Sequence, residues 1–156
     1  TSYSGKTIEV MNTDAEGRMV MADALSYGMK FKPKLILDIS TLTGQQWQMS
    51  CGLFGTIMGF NDKTIKKIIK IGKETNDKLV EMPLYQEFIN NTKSTIADVK
   101  NSEYKCGAST IHGGAFLSNF VDKDSDWIHL DVAGPAFKDE RTNGYGVRLL
   151  TGIIKS

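Results

Sequence analysis

Two carboxylates and an arginine lie close together near the start of this sequence. Asp14, Glu16 and Arg18 are spaced two residues apart within the stretch MNTDAEGRMVMADAL. In an extended segment, residues i and i+2 face the same side, so Asp14 and Glu16 would project together. Convergent carboxylates repel unless cations neutralise them, and two divalent ions bridged by one carboxylate suit this arrangement. Arg18 would then hold an anion or a developing oxyanion.

The same stretch also has a purely structural interpretation. Thr13 and Glu16 fit the capping box T-x-x-E, which would satisfy two backbone amides at the start of a helix. Gly17 would then lie in the first turns of that helix, at a cost of up to about 1 kcal/mol relative to alanine. A glycine is better suited to a site where another group approaches the backbone closely. These residues alone leave both interpretations open.

Composition narrows the class of protein. The 156 residues are 40% hydrophobic and 24% charged, which indicates one globular domain with a core. A net charge of +1 gives no indication of nucleic-acid binding, and no apolar run approaches the roughly 18–20 residues that cross a bilayer. Residues 63–73 combine lysines with isoleucines at helical spacing, which predicts a solvated helix face. Cys51 and Cys106 are far apart, as expected of reduced thiols in the cytosol.

Strands and helices are predicted to alternate along the chain. The predicted strands are residues 6–11, 35–39, 52–60 and 127–132, and the predicted helices are residues 18–28, 62–74, 85–90, 109–121 and 146–154. Residues 41–44 form a loop directly after a buried strand, where α/β sheets place ligands. Gly113 and Gly114 interrupt a helix and predict close packing against a neighbour. We therefore predict one α/β layered domain over residues 1–156, with a central, mostly parallel or mixed sheet flanked by helices.

Several motifs together resemble the M17 leucine aminopeptidases, also called cytosol aminopeptidases. The octet NTDAEGRM at residues 12–19 closely resembles the signature of that family. The other similar segments, in the order of the family, are GKTIEV (5–10), MADAL (21–25), DISTLTG (38–44), ADVKN (97–101), WIHLDVAG (127–134) and GYGVRL (144–149). The resemblance covers nearly the whole chain and identifies it with the C-terminal part of the catalytic domain.

The resemblance implies a function for individual residues. The residue that matches Asp14 binds one metal ion, the one that matches Glu16 bridges two ions, and the one that matches Arg18 binds a bicarbonate ion that serves as general base. The residues that match positions in the substrate pocket are Thr41, Leu42, Gly44, Ala133 and Ala136. The implied reaction is hydrolysis of the N-terminal peptide bond of a peptide, with an apolar, leucine-like residue preferred. Two divalent ions, Zn²⁺ or Mn²⁺ with Mg²⁺ and Co²⁺ also suited, would activate the attacking water.

The resemblance also sets expectations for the whole protein. Family members are cytoplasmic hexamers, so we expect a homo-oligomer. The other metal ligands of the family, its catalytic lysine and its N-terminal domain match positions upstream of Thr1. We therefore expect residues 1–156 alone to be inactive, and the alternative function is that of a non-catalytic fragment serving folding, assembly or interaction. Gln45 and Gln46 depart from the family, which commonly has a small residue there, and so does Ser109, where the family often has glycine.

His129 and Asp131 fall on one face of a predicted strand. Two such side chains could bind a metal ion, or they could form a buried hydrogen-bonded pair. The family does not use these positions as ligands, and buried polar groups are generally hydrogen-bonded. We predict the hydrogen-bonded pair.

Overall fold

A computed structural model describes residues 1–103 and 107–156, so Cys106 lies outside the described residues. In chain order the strands are β1 (Ile8–Glu9), β2 (Ile36–Ser40), β3 (Gly55–Gly59), β4 (Leu79–Glu81), β5 (Val99–Lys100), β6 (Trp127–Asp131), β7 (Phe137–Lys138) and β8 (Arg141–Thr142). The helices are α1 (Glu16–Met29), α2 (Gly44–Ser50), α3 (Asp62–Thr75), α4 (Gln86–Asn91), α5 (Ser109–Leu117) and α6 (Val147–Ile154).

A four-stranded sheet with the order β2-β6-β3-β4 organises the fold. Strands β2 and β6 are parallel, β3 runs antiparallel to β6, and β4 is parallel to β3. Two further pairs, β1 with β5 and β7 with β8, lie outside this sheet. The predicted α/β class with a mixed sheet between helices is confirmed.

Strand β6 separates two different environments. Its five residues are all buried, because helices cover both faces of the sheet. Ile128 and Leu130 point into an apolar cluster with α3 and α6, while Trp127 on the opposite face packs among residues of α1 and α5. His129 and Asp131 share the face of Trp127. One side of the sheet is therefore packed mainly by apolar residues, and the other side buries the charged groups of β6.

Helix α3 confirms the prediction made from residues 63–73. Ile65, Ile68 and Ile71 are buried in the apolar cluster, and the lysines of the run are exposed. Each fully buried isoleucine contributes about 1.5–3 kcal/mol. The side chain of Asn61 accepts hydrogen bonds from the first free amides and fixes where the helix begins. This helix therefore closes the apolar side of the sheet.

Three predicted boundaries are wrong in informative ways. The strand predicted at residues 6–11 is only Ile8–Glu9, since it pairs with the two-residue strand β5 instead of joining the main sheet. Gly44, predicted to lie in a loop, begins helix α2. The helix predicted at residues 109–121 ends at Leu117 and continues as a 3₁₀ turn.

The predicted close packing of the glycine pair in α5 is confirmed. A Cβ atom at Gly114 would lie 2.5 Å from the Cε atom of Met58 in β3, so a side chain there would require Met58 to shift. One at Gly113 would lie 3.1 Å from side-chain atoms of Leu42 and Thr43. The glycines therefore let α5 approach both the sheet and the segment after β2. Among the described residues, no helix combines the length and the apolar character needed to cross a bilayer.

Candidate functional site

The segment that carries the two predicted metal ligands is helical and not extended. Thr13–Ala15 forms a 3₁₀ turn that continues into α1 at Glu16. The side chain of Asn12 caps this turn by accepting a hydrogen bond from the amide of Asp14 at 3.0 Å. The capping box headed by Thr13 is therefore wrong, although a helix does start here. The prediction that Asp14 and Glu16 share one side of an extended strand is also wrong, because successive helical residues are about 100° apart.

The side chains of Asp14 and Glu16 are nevertheless available to a cation. Both residues are exposed, and within the described part of the chain neither carboxylate accepts a hydrogen bond or forms an ion pair. Carboxylate oxygens are suitable donors for Zn²⁺, Mn²⁺ and Mg²⁺. Residues 1–103 and 107–156 contain no group of three or more His, Cys, Asp and Glu side chains arranged to hold a metal ion. Two carboxylates are thus a partial donor set for a divalent ion.

Arg18 lies one turn further on and is buried, with 5% of its surface exposed. Its Nη1 donates to the carbonyl of Asn101 at 2.6 Å, and its Nη2 donates to Ser109 Oγ at 3.1 Å. Its Nε is buried and has no hydrogen-bond partner among the described residues. Burial lowers the pKa of the guanidinium, an effect that the Asp131 carboxylate opposes. A buried cation with an unsatisfied N–H group fits a small planar anion such as bicarbonate.

Asn101 anchors the loop before α1, although no function was predicted for it. This residue is fully buried. Its Oδ1 accepts from the amide of Met11 at 2.9 Å, and its Nδ2 donates to the carbonyl of Asn12 at 2.7 Å and to that of Ala15 at 3.3 Å. Its own carbonyl receives Arg18, so one residue orients both parts of the TDAEGR segment. Its position at the end of the motif ADVKN was the available signal.

The start of α1 packs against residues 41–44, the first predicted substrate segment. A Cβ atom at Gly17 would lie 3.7 Å from Leu42 Cδ1. A Cβ atom at Gly113 would lie 3.1 Å from Leu42 Cδ2 and 3.8 Å from Arg18 Nε. Two glycines therefore allow the guanidinium and the segment after β2 to approach each other closely.

Asp131 joins the two predicted substrate segments. Because β2 and β6 are parallel neighbours, residues 41–44 and 133–136 emerge at the same edge of the sheet. Asp131 Oδ1 accepts from the amides of both Leu42 and Ala133, each at 3.2 Å. Its Oδ2 accepts from Thr43 Oγ1 at 2.6 Å, and Thr43 Oγ1 lies 2.9 Å from Thr110 Oγ1 in α5. A single buried carboxylate thus holds both segments.

The structure places the predicted pocket residues at different depths along this edge. Thr41 and Gly44 are exposed, whereas Leu42, Ala133 and Ala136 are half-buried. Ala136 also packs against the apolar cluster beneath the sheet. The structure brings Leu42 and Ala133 together through Asp131, and their function in substrate binding stays a prediction.

His129 and Asp131 are both buried and hydrogen-bonded, but the predicted pair between them is wrong, because each bonds other residues. The Nδ1 atom of His129 lies 2.5 Å from Asp38 Oδ1 on the neighbouring strand β2. Asp38 Oδ2 accepts from Trp127 Nε1 at 2.8 Å. Parallel pairing puts Asp38 directly beside His129 in register, which explains the partner. The sequence could not reveal this partner, because it does not give the order of the strands.

The charges on this face shift each other's ionisation. Burial alone lowers the pKa of His129, but the nearby carboxylates of Asp38 and Asp131 raise it overall above its usual value. Burial raises the pKa of Asp131, although its hydrogen bond from Thr43 opposes the change. The ionisation of His129 therefore depends on the carboxylates of Asp38 and Asp131, and these groups lie beneath residues 41–44 and 133–136.

The protein has a mixed sheet between helices, and polar groups lie just beyond two parallel strands. These features define the class of α/β domains whose ligand sites lie at the carboxyl ends of strands. The sequence pattern described as "Cytosol aminopeptidase family, catalytic domain" matches residues 1–151. The chain belongs to this family.

Curated relatives agree with the family pattern. The chain is 42% identical over 163 residues to a probable cytosol aminopeptidase of Protochlamydia amoebophila, a match that covers 99% of the chain and 32% of the relative. It is 42% identical over 164 residues to one of Rickettsia canadensis and 40% identical over 166 residues to one of Chlorobium limicola. These matches also cover 99% of the chain, with 33% and 32% of the relatives. The chain thus spans about a third of the length of the relatives it matches.

Proposed function

We propose that the natural polypeptide containing residues 1–156 is a metal-dependent aminopeptidase that removes a leucine-like residue from the N-terminus of peptides. The observation that carries this proposal is the packing of α1 against residues 41–44. It puts the buried guanidinium of Arg18, whose Nε has no partner in the described part of the chain, beside the segment that would receive the substrate. Family membership over residues 1–151 supports the same activity.

Each part of the site would have a distinct function. Asp14 and Glu16 would hold two divalent ions, which when bound lower the pKa of a water and polarise the scissile carbonyl. Arg18 would orient an anion through its Nε, which has no hydrogen-bond partner within residues 1–103 and 107–156, since its other nitrogens are fixed by Asn101 and Ser109. A divalent ion takes four or more ligands, so we infer that residues outside the described segment complete the set. Assembly into a homo-oligomer and a cytoplasmic location stay predictions.

Replacing Glu16 by glutamine should reduce metal occupancy at both sites, whereas Asp14→Asn should affect mainly one. A bridging carboxylate offsets the repulsion between two cations, while a terminal ligand serves a single ion. Metal content per chain of the complete natural polypeptide, measured by mass spectrometry after titration with Mn²⁺ or Zn²⁺, tests this difference. The exposed Glu87→Gln in α4 serves as a matched control. Equal losses at a single site in both variants would contradict the proposed bridging function.

Leucine and methionine amides should be hydrolysed in preference to lysine and glutamate amides. Ala133 and Ala136 present methyl groups, and residues 41–44 carry no charged side chain that could pair with a substrate. Burying a leucine-sized group contributes about 1.5–3 kcal/mol, which predicts a preference of about tenfold or more in kcat/KM. An aminoacyl-amide panel measures it, with a chelator-treated sample as the control for metal dependence. Preference for glutamate amide would contradict the proposed apolar specificity, and activity unaffected by chelation would contradict the proposed metal dependence.

A second candidate concerns residues 1–156 taken alone, which would serve folding, assembly or interaction without catalysis. The two carboxylates of Asp14 and Glu16 favour it, because they supply only part of a dimetal ligand set. The leucine-amide assay separates the candidates when it is run on residues 1–156 and on the complete polypeptide with excess metal. Comparable turnover by both would rule out the non-catalytic candidate.

A further inference from the structure

The side chain of Gln46 links two segments that are far apart in sequence. It lies in α2, just after residues 41–44, and is fully buried. Its Oε1 accepts a hydrogen bond from the amide of Gly134 at 2.5 Å. Its Nε2 donates to the carbonyl of Phe54 at 2.7 Å, which ties the same side chain to the chain just before β3. Both ends of the amide are therefore satisfied by backbone groups.

Gly134 packs directly against the helix that carries Gln46. A Cβ atom there would overlap Ser50 Oγ and would lie 3.3 Å from the Cα atom of Trp47. It would also lie 2.8 Å from Gln46 Oε1. The backbone of residues 133–136 thus approaches α2 as closely as a glycine permits, and the Gln46 hydrogen bond fixes that contact.

The start of α2, where Gln46 lies, is held by two further hydrogen bonds. The amide of Gln46 donates to the carbonyl of Thr43 at 3.1 Å. Gln45 Oε1 accepts from the amide of Thr110 at 3.1 Å, which joins α2 to α5. Because the start of α2 is fixed relative to residues 41–44, the hydrogen bond from Gly134 to the Gln46 side chain also fixes the position of Gly134 relative to those residues.

We propose that Gln46 is a positioning residue that sets the separation of residues 41–44 and 133–136, and so the width of the recess for the substrate's N-terminal side chain. This inference rests on the proposed function. Asp131 joins the same two segments from beneath, at Leu42 and Ala133. Gln46 joins them from the side of α2, one residue further along the second segment. Without Gln46, the amide of Gly134 and the carbonyl of Phe54 would be buried without these partners, and Gly134 would be free to move away from α2.

The test replaces Gln46 by methionine, which has similar length and volume but makes neither hydrogen bond. In the complete natural polypeptide, KM for leucine amide should rise about tenfold while kcat changes less than about threefold. The ratio of kcat/KM for leucine amide to that for alanine amide should fall, because the smaller side chain uses less of the recess. Gln46→Glu keeps the acceptor for Gly134 but places a carboxylate oxygen against the carbonyl of Phe54, so it should not restore KM. Gln48→Met, the same change at an exposed position of α2, should behave as wild type.

Hydrogen exchange provides a readout that does not depend on activity. Peptides covering residues 132–137 should exchange faster in Gln46→Met than in wild type or in Gln48→Met. Unchanged exchange there, or an equal fall in kcat for both substrates with KM unchanged, would overturn the inference. If wild type hydrolyses neither amide, the proposed function fails, and the exchange data still decide whether Gln46 couples the two segments.

Discussion

The substitution Arg18→Ala is expected to lower kcat of the complete polypeptide about 10²–10³-fold, while metal content stays near that of wild type. The guanidinium has no lone pair to offer a cation, so it cannot act as a metal ligand. Among the described residues its Nε has no hydrogen-bond partner and lies beside Gly113, against which Leu42 and Thr43 also pack, so one N–H group remains to orient an anion. Steady-state kinetics with metal analysis on the same samples measures both quantities.

Two further variants separate catalysis from folding at this position. Arg18→Lys keeps a positive charge but loses the fork that bonds Asn101 and Ser109, so it should also be strongly impaired. Arg141→Ala removes an exposed arginine in β8 and should leave kcat unchanged. Wild-type activity should rise with added bicarbonate, and that of Arg18→Ala should not. Loss of both metals in Arg18→Ala would show that the assignment is wrong.

Replacing Asp38 by asparagine should lower the free energy of unfolding by about 3–5 kcal/mol. The change removes the charge that pairs with His129 at 2.5 Å in a fully buried site. Trp127 Nε1 can still donate to the asparagine oxygen, so the loss reports mainly on the contact between Asp38 and His129. Urea denaturation measures the difference, and Asp124→Asn at an exposed position is the matched control.

The same pair predicts how stability depends on pH. The pKa of His129 is raised in the folded protein, so the folded state binds the proton more tightly than the unfolded state. The stabilisation is complete below the unfolded-state pKa of about 6.5 and is lost as pH rises through the higher folded-state pKa. Asp38→Asn should flatten this dependence. Stability that increases with pH above neutrality in wild type, and equally in the variant, would contradict the coupling of Asp38 and His129.

The elements that could be predicted from sequence are those whose local pattern agrees with their final environment. Residues 62–74 were predicted as a helix because their isoleucines follow one face, and α3 spans Asp62–Thr75. Helix α2 was missed because Gln46 and Ser50 are polar but buried, so the segment shows no apolar stripe. The short strand β1 was overestimated because its alternation continues beyond the two residues that find a partner.

Motif resemblance proposes the residues of the candidate site, but their geometry could not be predicted from the sequence. Motif resemblance selected Asp14, Glu16 and Arg18, yet the side chain of Asn12 makes the segment helical instead of extended. The partner of His129 depends on β2 lying next to β6, which no local pattern reveals. Gln46 looked only like a departure from the family, since its two bonds go to backbone groups distant in sequence.

The alternation of apolar and polar residues along β6 also favours a single strand register. If this strand paired one residue out of register, His129 and Asp131 would turn toward the isoleucines of α3, and Ile128 and Leu130 would face the polar layer. Burying an imidazole and a carboxylate among methyl groups without hydrogen bonds costs several kcal/mol per group. The misregistered chain would therefore be far less stable than the native one. The buried polar residues of β6 thus favour the native register of the strand during folding, independently of any ligand.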